Sequence, residues 1–236
     1  PLYSSAASDV YKRQGIFRLK RKIVFDSLAI GMSPFLMNLA ACFIVIIINQ
    51  GLKKYGGDLA IGAFGIVNRL VFIVVMIVMG LNQGMQPIAG YNFGAKLYGR
   101  VNKVLRLTII YATAVTTFGF LVGMLVPDLV VGIFTSDAEL TELSVTGLRI
   151  TVMFFPIIGF QMVTSNFFQS IGMAGKAIFL SLTRQMLILL PCLLVLPQFF
   201  GVAGVWYSMP VSDLLASLIA LVMLVCQFRK FRTSPL

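Results

Sequence analysis

Six apolar runs, at residues 27–51, 59–86, 104–126, 140–171, 177–196 and 202–228, fill most of the 236-residue sequence. A helix needs about 20 apolar residues, at roughly 1.5 Å each, to cross a bilayer core of about 30 Å. Every run meets that length. Lipid offers no hydrogen-bond partner to the backbone, so spanning segments are helices or closed barrels. A barrel would show short alternating segments rather than continuous runs. The pattern predicts an all-α polytopic membrane protein, a six-helix transmembrane bundle. Composition agrees: 58% of residues are hydrophobic and 11% charged, far from a water-soluble domain of this length. The fourth run is longer than a span requires and predicts a tilted or protruding helix.

The ends differ from the middle. Residues 1–14 are polar and lack the apolar centre of a signal peptide, which predicts a non-native or disordered start. Residues 15–232 form the membrane lobe and 233–236 a short cytoplasmic tail. Lys and Arg set the orientation. With the chain starting inside, fourteen lie on inner flanks, and the outer loops hold only Lys53 and Lys54. Asp58, Asp128, Asp137, Glu139 and Glu142 fall outside. Both ends are therefore expected in the cytoplasm. The net charge of +11 follows this topology; it points to lipid headgroups rather than to nucleic acid.

Several chemistries drop out. With no histidine there is no imidazole base, triad or His-based metal site. Cys42, Cys192 and Cys226 sit singly on different runs without ligand or disulfide spacing. Gly172-Met-Ala-Gly-Lys176 lacks the length and the hydroxyl of a phosphate loop. No enzyme activity and no cofactor is expected, and any pumping must draw on an ion gradient or another polypeptide.

The segment Gly80-Leu-Asn-Gln-Gly-Met-Gln-Pro-Ile-Ala-Gly-Tyr-Asn-Phe-Gly-Ala-Lys96 sets four amides and a proline at the end of an apolar run. A purely lipid-facing anchor has no use for them; a helix beside a polar path does. Upstream, Asn68, Phe72, Val75, Met79, Asn82 and Gln86 recur at steps of three and four, one helix face. Asn38, Cys42 and Asn49 share a face on the first run. Gln161, Ser165 and Gln169 share one on the fourth, with Asn166 alongside. Such amides often only bond neighbouring helices, for about 0.6 kcal/mol each. Matching stripes on three helices predict a shared polar cavity instead, with candidate lining residues Asn38, Asn68, Gln83, Gln86, Gln161 and Asn166. Pro34, Pro87, Pro156 and Pro210 add kink positions.

Arg69, Arg149, Arg184 and Asp213 are charges within runs. Counting at 1.5 Å per residue sets Arg184 about 12 Å deep from the inside and Asp213 about 15 Å deep from the outside. The fifth and sixth runs are sequential and antiparallel, so these two can meet near the midplane as a neutralising pair. The rival reading gives Asp213 the coupling ion.

Gly84-Met-Gln-Pro-Ile-Ala-Gly-Tyr-Asn-Phe-Gly-Ala-Lys96 resembles the inner end of the eighth helix of multidrug and toxic compound extrusion (MATE) transporters. The basic loop Arg100-Val-Asn-Lys103 is similar to that family too. So are Phe168-Gln-Ser-Ile-Gly172 and Phe200-Gly-Val-Ala-Gly-Val-Trp206 leading to Pro210 and Asp213. The resemblance covers residues 15 to about 232. It implies one lobe, the C-terminal one, of a twelve-helix transporter. Such proteins exchange protons or sodium ions for amphiphilic or cationic drugs by rocking between inward-open and outward-open states. It also implies a bacterial cytoplasmic membrane, small-molecule substrates, and a missing N-terminal six-helix lobe without which this chain does not transport. In sodium-coupled members this lobe carries acids at positions that fall near Cys42 and Ile158 here; neither is acidic. The coupling ion, H+ or Na+, stays open. Two other readings remain: a lipid-linked oligosaccharide flippase of the same superfamily, and a non-transporting membrane assembly subunit.

Overall fold

The computed structural model describes residues 21–233; the expectations for the first twenty residues and the last three lie outside them. The chain divides into two units, 1–36 and 37–236. The described part of the first, 21–36, is helical. All contacts and cavities below belong to the second. Among the described residues every regular element is helical.

Helix α1, Arg21–Gly94, has 74 residues. At about 1.5 Å each it would reach more than three bilayer cores, so it cannot be a single span. Gly57 breaks it with φ 67° and ψ −163°, a left-handed backbone that a side chain would strain. Ile44, Ile48 and Leu52 before the break share one buried cluster with Ala60, Ala63, Phe64 and Val67 after it, so the chain turns back on itself. A Cβ on Gly56 would come within 2.6 Å of Ala60 Cβ and Val202 Cγ2. That leaves no room for a side chain at position 56.

Helix α2, Tyr98–Leu125, follows a short turn in which Lys96 adopts φ 59°. A six-residue helix α3, Pro127–Gly132, leads to α4, Ala138–Val152, and α5, Phe155–Ser170. Asp137 caps α4 by accepting bonds from the Glu139 and Leu140 amides at 2.9 and 3.2 Å, in keeping with short acidic side chains at helix starts. The fourth run is thus not one tilted helix. It bends by 55° between α4 and α5. Pro156 explains the position: it has no N–H, and its ring excludes the carbonyl four residues earlier, at Val152, where α4 ends.

The fifth run forms α6, Ala174–Leu182, continues through a π-helical segment, Thr183–Leu189, and enters α7, Leu190–Thr233. Gly201, with φ 58° and ψ −132°, breaks α7 as Gly57 breaks α1. The reversal is tight: a Cβ on Gly204 would lie 2.4 Å from the Leu196 carbonyl oxygen. Three helices, together with the bent α4–α5 pair, are long and apolar enough to cross a membrane.

Two buried clusters hold the lobe. One centres on Leu52, Phe64, Val67, Leu148 and Trp206. Trp206 packs on the Phe64 ring at 5.9 Å between centroids. Gly147 makes that possible, because a Cβ there would sit 2.6 Å from the indole ring. The other cluster joins Val78, Met85, Leu105, Val163, Phe167, Phe168 and Leu224. The surface is apolar as well: Phe118, Leu125 and Phe199 are 69–77% exposed. A water-soluble protein would not leave such side chains in solvent at this density, whereas lipid tails accommodate them.

Candidate functional site

Asn68, Arg184 and Asp213 line one cavity of about 230 Å³. Thr116, Thr151 and Ser212 add hydroxyls, and Phe64, Ile158, Met162 and Met209 supply apolar wall. The hydroxyls are not spare donors. Thr116 bonds the Ala112 carbonyl at 3.0 Å, Thr151 that of Gly147 at 2.8 Å and Ser212 that of Met209 at 2.8 Å. Returning a hydroxyl to its own helix is how Ser and Thr are satisfied in apolar surroundings. The chemistry of this cavity therefore rests on its amide and its charges.

The Arg184 Nε–H donates to Asp213 Oδ1 at 2.6 Å. The Asp213 side chain is 6% exposed and that of Arg184 33%. Arg184 lies in the π-helical segment and Asp213 beyond the Gly201 reversal, so the break in α7 brings the two together. π-Helical turns are rare and concentrate at functional sites. Among the described residues, no three histidines, cysteines or acids gather into a metal site.

A second group forms where the later part of α1 meets α5. Gln86 Nε2 donates to Asn166 Oδ1 at 3.4 Å, a long bond, while Asn166 Nδ2 donates to the Met162 carbonyl at 2.9 Å. Gly90 meets Ser170 at the same sequence offset, since a Cβ on Gly90 would lie 3.0 Å from the Ser170 carbonyl oxygen. Two contacts in one register mean parallel helices. That register sets Asn82 at the level of Met162. Both amides are buried, Asn82 at 2% and Gln161 at 4% exposure. Neither amide atom of Asn82, nor Oε1 of Gln161, has a partner among the described residues.

The amides named from the sequence therefore do not meet in one place. Asn68 joins Arg184 and Asp213; Gln86 joins Asn166; Gln161 is enclosed. Asn38 and Gln83 are exposed and do not line the Arg184–Asp213 cavity. Along α1, Asn68, Phe72 and Met79 share an exposed face, but Asn82 turns inward. It stands at the edge of that stripe, about 40° from Asn68 at 100° per residue. Arg69 and Arg149 are exposed. Cys42 and Cys226 are exposed free thiols and Cys192 is half-buried. Sequence reasoning misses two contacts: Lys176 Nζ donates to Gln227 Oε1 and stands 5.3 Å from the centre of the Phe168 ring. Their only signal is a polar residue at the end of each run.

A family model described as MatE matches residues 32–194. The multidrug export protein MepA of Staphylococcus aureus (strain MSSA476) is 27% identical over 201 residues, covering 85% of this chain and 44% of MepA. The solved structure of the MATE multidrug transporter DinF-BH superposes with a TM-score of 0.79 at 34% identity, over 92% of this chain and 48% of that one. An outward-facing multidrug resistance MATE family transporter of the MOP superfamily gives 0.83 at 19% identity, over 93% and 50%. The chain thus spans about half the length of the proteins it matches. A family match across most of the chain, and a shared fold over more than nine-tenths of it, lead to one conclusion: this chain belongs to the MatE family.

Proposed function

We propose that the chain is one lobe of a secondary active multidrug exporter. The lobe sits in a bacterial cytoplasmic membrane with both ends inside. The whole transporter exchanges H+ or Na+ for amphiphilic or cationic drugs by alternating access. One observation carries the reading: the chain aligns over 85% of its own length to a multidrug export protein, yet accounts for 44% of that protein. The other half is the facing wall. The placement of the amides supports this. Asn68 and Gln83 are polar, exposed and on a membrane helix, where lipid is a poor neighbour and a second lobe bounding a wet cavity is a good one. Exposed Met76, Met79 and Phe72 on the same stretch suit a wall that adapts to varied ligands.

In this reading Arg184 and Asp213 neutralise each other and brace the lobe. Charge near the bilayer centre is costly, and a close pair reduces that cost. The exposed Arg69 and Arg149 favour one alternative, a flippase for lipid-linked oligosaccharides, because a pyrophosphate needs cationic walls. The test is dye efflux from a bacterial strain stripped of its own exporters, carrying the complete open reading frame or this chain alone. Gradient-dependent ethidium efflux from the first and none from the second supports the proposal. No efflux from a well-inserted full-length protein sinks it and moves the assay to undecaprenyl-linked substrates.

A further inference from the structure

At the basic end of α2 the lobe carries a groove that the export reading does not use. Two hollows, of about 490 and 440 Å³, lie side by side along α2 with Asn102, Arg106 and Ile110 as their common wall, and together they make a furrowed face. Tyr98 and Phe228 close one side, and Lys103 stands on the other. Tyr98, Asn102, Arg106 and Ile110 recur every four residues, so the furrow follows one face of α2 for about 18 Å. Its character changes along that length. The mouth holds a phenol, an amide, a guanidinium and an ammonium; the far end holds Ile109, Ile110 and Leu107. Asn102, Lys103 and Arg106 are exposed.

That gradient matches an amphiphile with an anionic head. We propose that this face docks an anionic phospholipid, with the phosphate at Lys103 and Arg106 and an acyl chain along Leu107 and Ile110 of the same hollow. Charge selects the occupant. No acidic residue lies between Asp58 and Asp128, so nothing near the mouth in sequence offsets its two cations. Arg106 supplies a planar fork for phosphate oxygens and Lys103 a mobile ammonium. A zwitterionic lipid would bring its own cation to a cationic mouth.

The experiment is native mass spectrometry of the full chain in detergent, titrated with equimolar phosphatidylglycerol and phosphatidylethanolamine. One phosphatidylglycerol is expected to stay bound, and the double variant Lys103→Gln/Arg106→Gln to lose that preference about tenfold or more. Ile110→Trp, which fills the furrow and keeps both charges, is expected to release the lipid too. Arg149→Gln, exposed at the other end of the lobe, serves as the control and leaves binding unchanged. All these side chains are exposed, and circular dichroism checks that helix content is intact. Equal retention of the two lipids, or unaltered binding in the double variant, overturns the proposal. So does full competition by sn-glycerol 3-phosphate, which would mean a phosphate site with no acyl contribution.

Discussion

Arg184 Nε and Asp213 Oδ1 lie 2.6 Å apart, on either side of the Gly201 reversal that doubles α7 back on itself. The pair ties the fifth and sixth apolar runs together beside a cavity that also holds Asn68. Its value is structural only if the two charges are interchangeable with a well-packed neutral pair. Asp213→Asn leaves the guanidinium without its anion. The expected loss is about 3 kcal/mol, at the lower end for a broken buried pair because Arg184 is partly exposed. The double variant Arg184→Met/Asp213→Leu is expected to recover most of it, read as thermal unfolding in detergent. A folded double variant that no longer supports gradient-driven efflux in the full-length protein would transfer Asp213 from bracing to ion coupling.

Gly147 and Trp206 are coupled by contact. An alanine at 147 would drive its Cβ to 2.6 Å from the indole. Overpacking of this kind costs about 1–3 kcal/mol. Gly147→Ala is expected to lower the unfolding temperature, and adding Trp206→Phe to restore part of it. Two effects that simply add would mean that the glycine and the indole do not touch.

Two glycines at the reversals, Gly57 and Gly204, differ in kind. Nothing lies within 4 Å of a Cβ on Gly57, so Gly57→Ala meets only backbone strain, of about 1–3 kcal/mol. At Gly204 the Cβ meets a backbone carbonyl at 2.4 Å, which cannot move aside as a side chain does. Gly204→Ala is expected to be the more damaging, measured as the yield of monodisperse protein by fluorescence-detected gel filtration. The reverse order would contradict both turn geometries.

Asn82 is buried with both amide atoms unpaired among the described residues. An unpaired buried amide costs about 1–3 kcal/mol, which an apolar residue of similar size avoids. Asn82→Leu is therefore expected to raise the unfolding temperature. A clear fall would show that the amide has a partner in the membrane, such as an ordered water.

The all-helical class with long apolar helices was legible in the sequence because runs of twenty apolar residues leave few alternatives. The meeting of Arg184 and Asp213 was legible from depth alone, since two sequential antiparallel helices set both charges near the same level. Other features were not. The bend between α4 and α5 begins four residues before Pro156, but hydropathy runs unbroken through it and hides the stop. Lys53, Lys54 and Asp58 read as a loop, yet they belong to helical stretches that meet at Gly57, because left-handed glycine reverses the chain without a loop. The inward turn of Asn82 depends on about 40° of helix drift, within the tolerance of any face assignment by spacing. The π-helical segment at Arg184 has no spacing signature at all.

Dye transport decides whether this lobe completes a drug-exporting cavity. Ethidium efflux would be followed in an exporter-deficient strain, with and without an imposed proton or sodium gradient. The complete open reading frame, its Asn68→Leu variant and this chain alone would be compared at matched membrane levels. Gradient-dependent efflux is expected from the complete protein, a several-fold loss in the variant, and none from the chain alone. Efflux from the chain alone, or none from a correctly inserted complete protein, would contradict it.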